Sequence, residues 1–178
     1  MFKTLLATLP LLAFCGCANN GSYTSKPKPD IRALAILYSA SGSNVRGTVT
    51  FYREDNGTRV EATISGLTPG EHGFHIHEKG DCSAPDASSA GGHFNPTAMP
   101  HGGPHSSSRH VGDFGNLNAN TLGNAYYSRT FDNLSFEGAA SIIGKGIIVH
   151  EKADDMKTQP TGDAGGRVAC GVIEVSKH

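Results

Sequence analysis

The sequence has no tryptophan, only three methionines and no excess of charge of either sign. Its 15 Lys and Arg residues nearly balance its 16 Asp and Glu residues, so the formal net charge is −1. Proteins that bind nucleic acid or an acidic membrane surface usually carry a basic patch that raises the net charge. The balance of charges therefore predicts that nucleic acid is not a partner.

Long hydrophobic runs are also absent beyond the first residues of the chain. A mostly apolar stretch over residues 5–14 follows the positive Lys3, and small residues come next at positions 16–18. This arrangement is typical of a secretory signal peptide, whereas a membrane-spanning helix needs about 20 apolar residues. Residues 1–18 are therefore predicted to direct export, and we expect the mature protein to have no transmembrane helix.

The end of this segment resembles a bacterial lipobox, in which a lipid-modified cysteine becomes the new N-terminus. Cys17 is the better candidate of the two cysteines there, since the small Gly16 precedes it. Phe14 stands where Leu is usual, so ordinary cleavage after Ala18 remains the alternative. We expect the periplasm or cell envelope as the location, with membrane contact only through a lipid anchor on Cys17.

Residues 19–29 are polar and contain two Lys-Pro pairs, which is typical of a flexible linker. The remaining residues, 30–178, are predicted to form one domain. Within it, residues 45–52 and 59–65 alternate between apolar and polar, which is typical of half-buried β-strands. Asn56-Gly57 between them is a pair favoured in hairpin turns.

Six more strands are expected, over residues 31–40, 72–77, 116–119, 125–131, 145–151 and 167–175. No segment has a helical period over three turns. The sequence therefore predicts an all-β domain, an eight-stranded antiparallel sandwich or barrel. The two long strand-poor gaps, residues 78–115 and 152–166, are predicted to be functional loops.

The nine histidines are the unusual number in the composition, because histidine is the commonest metal ligand. His75 and His77, two apart on a predicted strand, leave the same face with Cα atoms about 7 Å apart. Such a pair alone is a weak signal, but further ligand types lie on or beside the first loop, namely His93, His101, His110 and Asp113. Three imidazoles with one carboxylate suit zinc, and an all-imidazole set, to which His150 could contribute, suits copper.

Six motifs in this domain resemble the copper/zinc superoxide dismutases, in family order and nearly with family spacing. They are GFHIHEKGD at 73–81, GHFNP at 92–96, HGGP at 101–104, RHVGDFGN at 109–116, HEKADD at 150–155 and GGRVACG at 165–171. The resemblance spans the whole domain and implies a Greek-key β-barrel. The position of Cys82, five residues after His77, is similar to that in the bacterial periplasmic branch.

Carried over position by position, the resemblance implies two metal sites that share one imidazole. Copper would be bound by His75, His77, His93 and His150, and zinc by His93, His101, His110 and Asp113. Asp154 would link a copper-side and a zinc-side histidine, as an outer partner that orients both rings. Arg167 would attract and position the substrate anion.

The reaction implied by the resemblance is the dismutation of superoxide to dioxygen and hydrogen peroxide. Copper would cycle between Cu(II) and Cu(I), His93 would exchange a proton, and zinc would be structural. A copper-binding or copper-delivery protein on the same barrel is the alternative, and a zinc-only structural relative is a third. Both are less favoured because all seven ligand positions and Arg167 are present.

Other family features are less complete. Cys82 and Cys170 match the family's disulfide, with two free buried thiols as the alternative. Pro160 stands where many eukaryotic members carry a lysine that steers superoxide, and Lys157 or Lys79 could replace it. His72 matches a structural histidine, while His105 and His178 are expected to be solvated. The sequence is compatible with both a monomer and a homodimer.

Overall fold

The structure is a computed structural model that describes Met1 and residues 30–177. Apart from Met1, the predicted signal peptide with Cys17 lies outside the described residues, as do the predicted linker and His178. Nine antiparallel strands make up the regular structure of the described part. They are β1 (Asp30–Ser39), β2 (Arg46–Glu54), β3 (Gly57–Ser65), β4 (Gly70–His77), β5 (Asp113–Ala119), β6 (Ala125–Phe131), β7 (Gly146–His150), β8 (Arg167–Val172) and β9 (Glu174–Val175).

The predicted all-β class is confirmed. Within residues 30–177 the only helical turn is a three-residue 3-10 helix, Ser88–Ala90, and no helix is long and apolar enough to cross a membrane. The eight predicted strands correspond to β1–β8. The last of them is shorter than predicted, because the backbone of Ile173 leaves the strand and exchanges hydrogen bonds with residues 144 and 145. The next two residues form β9, which pairs with β1.

The hairpin between β2 and β3 also differs from the prediction by one residue. Asp55 and Asn56 form its turn, while Gly57 is already paired with Glu54. A Cβ on Gly57 would overlap the carbonyl oxygen of Phe131 on the neighbouring β6. A glycine at this position therefore allows β6 to approach closely, and it is not one of the two central residues of the turn.

The strands follow the order β5-β4-β7-β8-β1-β2-β3-β6, so the chain crosses over to pair β3 with β6 and β4 with β7. The two end strands face each other and nearly close the sheet into a barrel. Across this seam the hydroxyl of Tyr127 donates to the carbonyl of Phe114 at 2.9 Å, and the rings of Phe114 and Phe131 stack with centroids 4.6 Å apart. This arrangement is the predicted Greek-key barrel.

The alternation in the sequence places one face of each strand inside the barrel. Val49 and Phe51 on β2 and Val60 and Ile64 on β3 are buried, whereas their neighbours along the chain are more exposed. Each large apolar side chain buried in this way contributes about 1.5–3 kcal/mol. The core fixes the register of the strands, because a slip by one residue would turn every one of these side chains to solvent.

The predicted disulfide is confirmed: Cys82 on the first long loop is bonded to Cys170 on β8, with Cα atoms 5.8 Å apart. The two residues are 88 positions apart in the sequence. Closing a loop of that length stabilises the fold by about 4.5 kcal/mol in the chain-entropy model. Ala87 and Ala90 pack beside the bridge in a small second core, so apolar contacts reinforce the covalent link between the loop and β8.

Candidate metal centre

Three histidines come together at neighbouring strands. His75 and His77 lie on β4, and His150 is the last residue of β7, with which β4 pairs. His93 joins them because its backbone forms an isolated antiparallel bridge with His77, and the next amide, that of Phe94, donates to Ile76 at 2.8 Å. The start of the first loop thus continues the sheet locally and delivers a fourth imidazole.

Each of these four residues offers one ligand atom, and the four atoms lie within 4.8 Å of one another. All four residues are buried, with exposures of 0–6%. The structure thereby brings together the four histidines that the resemblance assigns to copper. Their role as copper ligands stays a prediction.

A second cluster adjoins the first and contains His93, His101, His110 and Asp113, with ligand atoms again within 4.8 Å. Asp113 is the first residue of β5 and is paired with His75 of β4, which places its carboxylate at the edge of the first cluster. Nδ1 of His93 lies 2.8 Å from Asp113 Oδ1 and 3.4 Å from His110 Nδ1. Nδ1 of His93 therefore belongs to the second cluster, leaving Nε2 for the first.

The rings of the first cluster are oriented by hydrogen bonds on their outer sides. His77 donates from Nδ1 to the carbonyl of Gly91 at 2.9 Å, and His150 donates from Nδ1 to Gly165 at 3.2 Å. His75 donates from Nε2 to the carboxylate of Asp154 at 2.8 Å. Because a neutral imidazole carries one N–H, the opposite nitrogen of each ring holds a lone pair.

The rings of His75, His77 and His150 are neutral near pH 7. Burial lowers the pKa of His75 to about 4 and that of His150 to about 3, and it also lowers the pKa of His77 well below its ordinary value. The lone pairs of His77 Nε2 and His150 Nε2 consequently face each other 3.3 Å apart. Two facing lone pairs repel unless a cation lies between them, so the cluster has the electrostatics of a metal site.

The second cluster combines two imidazoles and an ionised carboxylate with the shared ring. Burial alone would raise the pKa of Asp113, but hydrogen bonds with His101 and His93 outweigh it and hold that pKa well below the usual range. Burial alone would lower the pKa of His101, but hydrogen bonds to Asp113 and Asp154 outweigh it and raise the pKa to about 9. The two ionised carboxylates beside His101, those of Asp113 and Asp154, supply negative charge that favours a cation at this position.

The donor sets fit the two metals of the resemblance. Two buried nitrogens, Nδ1 of His75 and Nε2 of His93, have no hydrogen-bond partner among the described residues, and Nδ1 of His101 lies 3.1 Å from Asp113 Oδ2. Tetrahedral zinc ligands at about 2.0–2.1 Å from the ion lie about 3.3 Å apart, and the contacts of Nδ1 of His110 with Asp113 Oδ1 and with His93 Nδ1 measure 3.2 and 3.4 Å. An all-imidazole set suits copper, and three imidazoles with a carboxylate suit zinc.

Asp154 lies between the two clusters. Its Oδ2 accepts the hydrogen bond from His75, and its Oδ1 lies 3.0 Å from Nε2 of His101. The side chain of Asn116 on β5 holds the backbone of Asp154 in both directions, accepting from its N–H at 2.7 Å and donating to its carbonyl at 2.9 Å. The carboxylate is thus placed by a strand of the barrel rather than by its own loop alone.

Arg167 reaches the same region through strand register. It is the first residue of β8 and is paired with His150 of β7. Its Nη1 donates to the carbonyl of Ala87 and its Nη2 to the carbonyl of Gly91, both at 2.6 Å. Because Gly91 also accepts from His77, one carbonyl connects the arginine with a ring of the first cluster.

The remaining histidines of the described part lie elsewhere. His72 uses both ring nitrogens within the protein, Nδ1 at 2.8 Å from the carbonyl of His150 and Nε2 at 2.9 Å from that of Thr68. His105 is exposed, with its ring 3.1 Å from the guanidinium of Arg129. Neither ring faces either cluster.

Sequence reasoning missed four residues that shape the centre: Gly91, Asn116, Gly162 and Gly165. Gly91 and Gly165 act through backbone carbonyls, which no side-chain pattern reveals. Asn116 is the last residue of the 109–116 motif, but the motif does not indicate its contacts with Asp154. Gly162 matters for the space it leaves, since a Cβ there would overlap Asp154 Oδ1 and lie 2.7 Å from His101 Nε2.

A nearly closed antiparallel barrel with two adjoining clusters of metal-ligand types that share one imidazole is the arrangement expected of a two-metal β-barrel protein. The family described as copper/zinc superoxide dismutase (SODC) matches residues 45–173. The chain therefore belongs to the copper/zinc superoxide dismutase family, and its cofactors are copper and zinc.

Curated relatives support this assignment along most of the chain. The chain is 40% identical over 186 residues to a protein of Drosophila melanogaster named extracellular superoxide dismutase [Cu-Zn], an alignment that covers 98% of this chain and 99% of that one. Proteins with the same name from Brugia pahangi (42% identical, 81% of this chain and 76% of that one) and Caenorhabditis elegans (40%, 80% and 69%) are also similar.

We predict that Gly162→Ala weakens metal binding, because the new methyl group would displace the Asp154 carboxylate from His101. Gly162 also has a φ of +70°, so part of any loss would come from backbone strain of about 1–2 kcal/mol. Gly144→Ala is a matched control, since Gly144 has a φ of +75° but a Cβ added there would meet no atom within 4 Å. Metal content should fall about 10-fold or more under chelator challenge for Gly162→Ala alone. Equal retention in both variants would contradict the role given to Asp154.

Proposed function

We propose that this chain catalyses the dismutation of superoxide at the two-metal centre, with copper and zinc held by the two clusters as the resemblance assigns them. The copper ligands are His75, His77, His93 and His150, and the zinc ligands are His93, His101, His110 and Asp113. The observation that carries the proposal is the position of His93, one ring that offers its two nitrogens to two different donor sets. A ring placed in this way can serve two ions at once.

The redox chemistry comes from bound copper, which can alternate between Cu(II) and Cu(I), whereas zinc has a single oxidation state. The protein contributes proton handling at His93. While Nδ1 remains engaged beside Asp113, Nε2 is buried and has no hydrogen-bond partner among the described residues. We assign to Nε2 the uptake of one proton and its delivery to the reduced substrate, which takes a second proton from water and leaves as hydrogen peroxide.

Arg167 is assigned to attracting and positioning the superoxide anion. Its guanidinium carries five N–H groups, and the carbonyls of Ala87 and Gly91 each take one. These two bonds fix the plane of the guanidinium beside the first cluster, while the other N–H groups can meet an oxygen of the substrate. A fixed cation costs no reorganisation when the anion arrives.

The test of the proposed function combines metal content with activity on the same sample. We expect copper and zinc near one each per chain, measured by mass spectrometry, together with superoxide dismutation. Removing copper should abolish the activity, and restoring copper should recover it. Full loading with both metals and no dismutation would instead favour the copper-binding or copper-delivery alternative.

We predict that Arg167→Ile lowers kcat/KM by about 10-fold or more and weakens its dependence on ionic strength, because local positive charge accelerates the arrival of an anion. Both metals should remain bound, since Arg167 contacts backbone carbonyls and not a ligand atom. Arg167→Lys keeps the positive charge but cannot donate to both carbonyls with the geometry of the guanidinium. Its kcat/KM should lie between those of the wild type and Arg167→Ile. Wild-type kcat/KM in Arg167→Ile would show that the residue does not position the substrate.

The chain is an exported protein, like the relatives named extracellular. We further propose that it stays at the cell envelope, facing the periplasm, through a lipid on Cys17, with residues 19–29 as a spacer. The support is the order of the sequence: an apolar run over residues 5–14, small residues at 16–18 and a polar Lys-Pro segment.

The anchor predicts a defined mass for the mature N-terminus. Intact-mass measurement of the protein purified from its native host should give a chain that begins at a lipid-modified Cys17 and that partitions into detergent. An unmodified chain that begins at Asn19 and stays in the aqueous phase would exclude the anchor. Cys17→Ser, which cannot be lipidated, is the control for the partitioning assay.

A further inference from the structure

Gln159, the only glutamine of the chain, contacts a residue of the second cluster from the other long loop. Its Oε1 accepts a hydrogen bond from the backbone N–H of His101 at 2.8 Å. Its Nε2 donates to the backbone carbonyl of the same residue at 2.9 Å. One side chain thus satisfies both backbone groups of His101 across 58 positions of sequence.

His101 depends on this contact because it lies on no strand. No strand is formed between Phe94 and Gly112, so the sheet cannot position this histidine as it positions those on β4 and β7. Within residues 30–177 the backbone of His101 makes no other hydrogen bond. The residue is 4% exposed, and leaving buried N–H and C=O groups unpaired costs free energy.

The carboxamide of Gln159 is itself held in place. Nε2 also donates to the carbonyl of Lys157 at 3.2 Å, so the amide group is fixed against its own loop before it reaches His101. The same loop holds the ring of His101 through Asp154 Oδ1 at 3.0 Å from Nε2. His101 is therefore held twice by residues 154–159, at its ring by Asp154 and at its backbone by Gln159.

We propose that Gln159 is a positioning residue for the zinc side of the centre: by fixing the backbone of His101 it directs Nδ1 of that ring toward the ion. The inference rests on the proposed function in assigning zinc to the second cluster. The second long loop, residues 152–166, thereby helps to position a predicted ligand on the first, because Gln159 joins the two loops.

The experiment compares Gln159→Met, which has nearly the same length and no hydrogen-bonding group, with Thr161→Ala as the control. Thr161 lies on the same loop, and its side chain makes no hydrogen bond within the described residues. Gln159→Asn keeps the amide but is one methylene too short to reach both groups, and Asp154→Asn is the positive control. Protein loaded with copper and zinc is titrated with a chelator of known zinc affinity, and copper retention is followed in the same samples.

For Gln159→Met and Gln159→Asn we expect about 10-fold weaker zinc retention, the usual effect of removing an outer partner of a ligand. Copper retention should change by less than about twofold, because the hydrogen bonds of Gln159 reach His101 and Lys157 and no residue of the first cluster. With cobalt in the zinc site, the absorption spectrum of both variants should differ from wild type, which a merely structural role would not produce. Thr161→Ala should match wild type in every measurement.

Wild-type zinc retention together with an unchanged cobalt spectrum in Gln159→Met would overturn the inference. The inference also fails if the metal-free variant unfolds at a lower temperature while its zinc retention is unchanged, since Gln159 would then only stabilise the loop. The wild-type protein separates this inference from the proposed function: a wild type that binds no zinc contradicts the proposed function, whereas normal wild-type loading with unaffected variants contradicts only the role of Gln159.

Discussion

The centre depends on the hydrogen bonds that the imidazole rings make on the sides facing away from the ions. A buried neutral imidazole has one N–H and one lone pair, and the partner of the N–H decides which nitrogen is left as a ligand. Gly91 fixes His77 in this way, Gly165 fixes His150, and Asp154 fixes His75. The barrel is the scaffold that places these acceptors, so the fold acts on the chemistry through carbonyl and carboxylate oxygens as much as through the ligands.

Two of these three outer acceptors, Asp154 and Gly91, are shared, which makes the centre one network rather than two sites. The Asp154 carboxylate accepts from His75 of the first cluster and His101 of the second, and the Gly91 carbonyl accepts from His77 and Arg167. Loss of the Asp154 carboxylate would therefore affect both clusters, and displacement of the Gly91 carbonyl would affect both His77 and Arg167. The same arrangement places the lone pairs of His77 and His150 3.3 Å apart, so a bound cation would relieve their repulsion and stabilise the folded state.

The sequence predicts the strands because burial on one face imposes a period of two, as between Val49 and Phe51 or Val60 and Ile64. It also predicts the ligand residues, because each motif places a side chain of the right chemistry at a recognisable spacing. The roles of the Gly91 and Gly165 carbonyls as acceptors could not be predicted, since every residue carries a carbonyl. Only the folded structure decides which carbonyl lies beside a histidine ring. The clearance at Gly162 and the reach of Gln159 to His101 likewise depend on how two distant loops pack.

A net charge of −1 offers no long-range attraction for an anionic substrate, so the field that draws superoxide inward must be local. Arg167 is half-buried, where a charge is screened less than at the open surface. Burial lowers its pKa, while Asp86 acts in the opposite direction, and the guanidinium stays charged because its ordinary pKa is so high. Its position follows from pairing with His150 and from the Ala87 and Gly91 carbonyls of the loop that the Cys82–Cys170 bridge ties to β8. The disulfide therefore stabilises not only the barrel but also the part of the molecule that positions this charge beside the metal centre.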